Sequence, residues 1–150
     1  MANKTELVNE FATTFTQMLK NVAIVKPKSI IGKKISQIET ALTTYSVKQV
    51  SIKLFILHLI PYKTHIDNYD DSFIDKINWK QKSNGSKKIL KVMKELIKLW
   101  KTFNKTNKII FFKYVQVLSV SAYDYLVILD EENKMKDAKM LQSNNMKRYR

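Results

Sequence analysis

Two glycines and two prolines in 150 residues leave this chain few places to turn sharply. Average usage of glycine, about 7%, would supply roughly ten. Such scarcity disfavours tightly turned β-sandwiches and favours helices. It also removes the common nucleotide cradles. A dinucleotide fingerprint needs three glycines at fixed spacing, which do not exist here. A phosphate-binding loop needs a second glycine ahead of Gly32-Lys33, but Pro27 stands there, and Lys34 occupies the place of the hydroxyl residue.

At this length one domain is the default, with enough chain to bury a core. Hydrophobic residues at 45% argue against wholesale disorder. With no cysteine there is no disulfide, no thiolate nucleophile and no cysteine zinc site, and an intracellular reducing compartment fits. Glu6 and Glu10 interrupt the N-terminus where a signal peptide would be apolar. The most apolar windows are 50–60 and 109–129. The first is too short to span a bilayer, and the second carries Lys113, Gln116 and Asp124, so both read as core segments and no integral membrane insertion is expected.

The formal net charge is +14, from 25 lysines and two arginines against 13 acids. A/T-rich coding would raise lysine, isoleucine and asparagine together, but it would not cluster the charge. Residues 1–62 carry net +5, 63–75 net −3, 76–113 net +11, 114–138 net −3 and the last twelve net +4. Most of the excess therefore lies in one quarter of the chain.

Hydrophobic periodicity predicts helices over most of the length. The first runs from about Thr5 to Ile24, with Asn3 and Glu6 forming a capping box, and ends at Lys26-Pro27. A second starts at the N-cap Ser29, with Gly32 an unfavourable residue in its first turn. A third, about Val47 to Ile60, is apolar on several sides and stops before Pro61. An acidic connector, Tyr62 to Ser72, leads to a short helix from Phe73 to about Gln81, and Lys82 to Ser86 is a loop. The segment Lys87 to Phe103 is the sharpest signal. Apolar residues fill half its circumference, and Lys87, Lys88, Lys91, Lys94, Lys98 and Lys101 fill the other half with Glu95 and Thr102. From Lys108 to Leu129 apolar residues occur all round. Strands compete here, but the helical partners and the lack of internal glycine or proline favour a central buried helix. Residues 131–150 are polar: a frayed helix or a disordered segment, ending in a mobile basic tail, Met146 to Arg150.

Few residues suggest chemistry. His58 and His65, with Asp67, Asp70 and Asp71, have metal-ligating side chains, but nothing forces them together, and the acidic run lacks the glycine and terminal glutamate of a calcium loop. Its ordinary reading is a solvated loop capping the next helix. No serine is spaced to couple with either histidine. The expectation is a protein without catalytic residues, metal or cofactor. Most aromatics fall on apolar faces, while Trp79, flanked by Lys76, Lys80 and Lys82, and Tyr149 are the two best placed to meet a partner. The lysine face supports a solvated surface, a phosphate platform or a membrane-surface helix, and the last is weakened because the core needs the apolar half. Lysine is a point charge without a bidentate fork, so such a face would hold backbone phosphate rather than read bases.

The runs Leu57-His58-Leu59-Ile60-Pro61-Tyr62, Asp71-Ser72-Phe73, Ile97-Lys98-Leu99-Trp100, Asn107-Lys108 and Phe112-Lys113-Tyr114-Val115-Gln116-Val117-Leu118 resemble small helical proteins of nucleocytoplasmic large DNA viruses, mimivirus-like. The likeness spans about residues 50–125, with Phe112 where tryptophan is commoner and Val115 where leucine is commoner. It implies a helical viral product, made in host cytoplasm or packaged in the virion, and brings no chemistry with it.

The expectation from sequence is an all-α bundle of five or six helices over residues 1–130 with a polar basic tail over 131–150. Its expected role is sequence-tolerant association with nucleic acid, or with an acidic protein surface, through Lys80, Lys82, Lys87, Lys88, Lys91, Lys94, Lys98 and Lys101. The alternative is a structural or interaction module, capsid-associated or host-modulating, whose lysines serve solubility and whose partners include other viral structural proteins.

Overall fold

The structure, a computed structural model, describes residues 3–79 and 87–148, with side chains up to Lys136. Among the described residues the fold is all-α, in line with the sparse glycine. It comprises α1 (Lys4–Val25), α2 (Ile30–Ala41), α3 (Tyr45–His58), α4 (Lys63–Asp67), α5 (Lys87–Trp100) and α6 (Lys105–Arg148), with 3-10 turns at Ile60–Tyr62 and Ile74–Lys76.

The helix boundaries follow local chemistry. Asn3 Oδ1 accepts the Glu6 amide at 2.9 Å, and the Glu6 carboxylate accepts Asn3 Nδ2 at 3.2 Å, which satisfies one of the free donors that open α1. Ser29 Oγ accepts the Gly32 amide at 3.0 Å and donates to the Lys26 carbonyl at 2.6 Å, so one hydroxyl closes α1 and opens α2. Gly32 is required there: a Cβ would stand 2.5 Å from the Pro27 carbonyl oxygen. Pro61 sits in the first turn of a 3-10 helix, where its missing N–H costs nothing.

One face of α1 buries Leu7, Val8, Phe11, Phe15, Met18 and Val22. It packs on α2, α3 and α6. Lys4 pairs with Glu132 at 2.8 Å, and the buried stretch of α6 lies N-terminal to Glu132, so α1 and α6 run antiparallel. A second centre forms around Trp100, fully buried with ring centroids 4.7 Å from both Phe111 and Phe112 and 5.8 Å from Phe73.

Three expectations are corrected. The short helix from Phe73 to Gln81 is absent where it is described: a single 3-10 turn is followed by Ile77 in extended conformation (φ −64°, ψ 125°). The Lys76 carbonyl accepts the Tyr62 hydroxyl at 2.9 Å, and the extended chain then carries Trp79 onto the His58 ring at 4.9 Å. Those tertiary contacts outweigh the small propensity of so short a segment. The turn of helix that does form, α4, lies in the supposed connector, supported by the Lys63–Asp67 pair at 2.7 Å and ended by Tyr69 at φ 55°. Finally, α6 is not buried all round. Its neighbours cover one side, burying Phe111, Phe112, Val115, Leu118, Ala122 and Tyr125, and leave apolar residues of the other side in solvent. It continues without a break past residue 131, helix being one of the two conformations expected for the polar tail.

Candidate nucleic-acid interface

The cationic face belongs to α5, and its placement follows from what the opposite face buries. Ile89, Met93, Leu96, Ile97 and Trp100 are buried against the bundle, where α5 meets α2 and α3. That anchoring turns Lys87, Lys88, Lys91, Lys94 and Lys98 outward, and all five are exposed. At 100° per residue, Lys87, Lys91, Lys94 and Lys98 fall within an arc of about 60° and span about 16 Å of axis. Lys88 lies about 100° from Lys87, on the side of α2.

Pairing divides the lysines. Among the described residues, none of Lys87, Lys91, Lys94 and Lys98 forms an ion pair. Lys101, one residue past the helix, is bound to Asp75. Lys108 pairs with Asp71 at 3.1 Å. The acidic segment thus has a role other than capping a following helix: two of its carboxylates hold the lysines at the corner between α5 and α6. A third, Asp70, accepts the Ser72 amide at 3.0 Å, and hydrogen bonding from the Ser72 backbone and hydroxyl lowers its pKa. Lys80 and Lys82 lie outside the described residues, as does Tyr149.

Trp79 is half-buried rather than offered to solvent. Its ring packs against His58, and the Lys94 ammonium stands 5.9 Å from its centroid. His58 is 2% exposed, and among the described residues neither ring nitrogen has a partner in full hydrogen-bonding geometry. Burial lowers its pKa, the backbone at Asn78 opposes the shift, and the Lys94 charge adds to it. The neutral imidazole is thus part of the support beneath Lys94. His65 lies apart, 4.0 Å from Asp70 and against the Tyr62 and Phe73 rings. Among the described residues no group of three or more histidines and acids is placed to hold a metal ion.

Beside the stripe, α2 and α5 enclose a groove of about 430 Å³. Ile31, Ile38, Ile89 and Val92 line it with Lys34, Lys88 and Lys91, and Glu95 is its one acid. Lys34 widens the cationic surface and was not found from the sequence, because only the packing of α2 on α5 brings it there. Among the described residues no helix is long and apolar enough to cross a membrane.

No family model matches the chain, and neither a curated protein nor a solved structure does.

Proposed function

We propose that the protein is a non-enzymatic nucleic-acid-associating protein that holds backbone phosphate on the exposed face of α5. The observation that carries this reading is the row Lys87, Lys91, Lys94 and Lys98, four ammonium groups on one face with no carboxylate paired to them among the described residues, while carboxylates nearby neutralise Lys101 and Lys108. Lys34 and Lys88 extend the surface across the groove. Binding is sequence-tolerant, because lysine neutralises phosphate without the geometry that reads base edges. By the resemblance of its sequence, the setting is a viral product at the viral factory in host cytoplasm or in the virion.

The test is a mobility shift of mixed-sequence DNA and RNA across a salt series. Four engaged lysines predict a log–log slope of about −3.6 on duplex. The triple substitution Lys91→Glu, Lys94→Glu and Lys98→Glu abolishes the shift and leaves helical circular dichroism unchanged. No binding by the natural chain at about 50 mM salt removes the reading. Unaltered affinity of the triple variant moves the site elsewhere.

A specific observation favours the structural or interaction module as a second reading: apolar side chains exposed along α6. Recovery of one stoichiometric protein partner at high salt, where phosphate binding is lost, would support it.

A further inference from the structure

We propose that α6 pairs with α6 of a second copy of this chain, antiparallel and about a two-fold axis. On its solvent side, Ile110, Lys113, Val117, Val120, Asp124 and Val127 recur at alternating steps of three and four residues, the first and fourth positions of a heptad. All six are exposed, and the four apolar ones are 38%, 53%, 59% and 37% accessible. The bundle does not use this line, which runs about 26 Å along the helix.

Two charges in the line select its occupant. Among the described residues, neither Lys113 nor Asp124 forms an ion pair. Against lipid both would be costly. Against nucleic acid, Asp124 would face phosphate. Against a parallel copy, Lys113 would meet Lys113 and Asp124 would meet Asp124, like charges in the centre of the seam. Antiparallel pairing about the midpoint between Leu118 and Ser119 gives a different result. Ile110 then lies level with Val127 of the partner subunit, Lys113 with Asp124 of the partner subunit, and Val117 with Val120 of the partner subunit. Two-fold symmetry repeats each pair, so one choice of axis matches every position in the line, as a self-complementary interface demands. First and fourth heptad positions alternate across the seam throughout. The two helix dipoles also oppose favourably. This inference goes beyond nucleic-acid association and does not depend on it.

The chain has no cysteine, so a single introduced one reports on register. In the antiparallel pair, two copies of residue 117 are offset by about 4.5 Å along the axis, and two copies of residue 110 by about 26 Å. Val117→Cys therefore forms a disulfide-linked dimer on mild oxidation and Ile110→Cys does not. In sedimentation equilibrium this 150-residue chain shows twice its 17.6 kDa mass. Lys113→Glu and Asp124→Lys each weaken the dimer at least about tenfold, and the double variant restores it. All four positions are exposed, so circular dichroism stays unchanged. A natural chain that is monomeric at every concentration overturns the proposal. So does a dimer indifferent to both single reversals, a double variant that fails to recover, or cross-linking through Ile110→Cys.

Discussion

His58 is a histidine whose proton is disfavoured by burial and by the Lys94 charge, with only the backbone at Asn78 acting the other way. Buried and within the field of Lys94, it has a pKa below its ordinary 6.5. The unfolded chain therefore takes up a proton first as pH falls. Stability is fully present above 6.5 and is lost as pH drops from 6.5 toward the lowered folded value. His58→Leu removes that loss, so the melting temperature of the variant changes less than that of the natural chain over this range. It also removes a buried polar ring whose nitrogens lack good hydrogen-bond geometry, and at pH 7 the variant is more stable by about 1 kcal/mol. A melting series against pH measures both effects, and a parallel pH dependence for the two proteins would contradict the assignment. Gly32 has the opposite sensitivity. Alanine is the better helix former by about 1 kcal/mol, yet its Cβ would meet the carbonyls of Pro27 and Lys26, backbone atoms that cannot swing aside. Gly32→Ala is expected to cost about 1–3 kcal/mol net, read from urea unfolding, whereas a tolerant site would gain stability.

At the scale of single helices, α5 shows why sequence alone locates some features and not others. Its apolar and lysine halves separate cleanly at the helical period, so both the helix and the outward turn of its lysines follow from the residue order. Which lysines remain unpaired does not, because Asp75 reaches Lys101 across 26 residues and Asp71 reaches Lys108 across 37. Lys34 joins the surface for a similar long-range reason. In α6 the periodicity is blurred because apolar residues lie on both sides, and sequence cannot say which side the bundle covers. The segment from Phe73 to Trp79 misleads more strongly, since its conformation is set by Tyr62 and His58 and not by its own propensity. The Asp75–Lys101 pair can be turned into a measurement. Asp75→Asn releases a fifth ammonium beside the row on α5. Duplex affinity should rise at low salt, and the log–log salt slope should steepen by about 0.9. An unchanged slope would place Lys101 outside the contact surface.

For the molecule as a whole, a net charge of +14 is a cost to the compact state, and α5 alone carries a net +4 of it, five lysines against Glu95. Lys87 with Lys91, Lys91 with Lys94, and Lys94 with Lys98 are like charges one helical turn apart, each destabilising by about 0.2–0.5 kcal/mol at low ionic strength. Lys91→Gln together with Lys98→Gln breaks all three repulsions while sparing Lys94 on Trp79. That double variant should be more stable than the natural chain by about 1 kcal/mol, a gain of a few degrees in melting temperature, in dilute buffer. The advantage should shrink as salt shortens the Debye length to about 8–10 Å. Phosphate binding should change the other way, losing about 1.8 from the salt slope with two contacts gone. Opposite signs in the two measurements on one variant identify a row of charges held at the expense of stability for the sake of binding. If the substitutions raise the melting temperature and leave nucleic-acid affinity untouched, the lysines of α5 are not the contact surface.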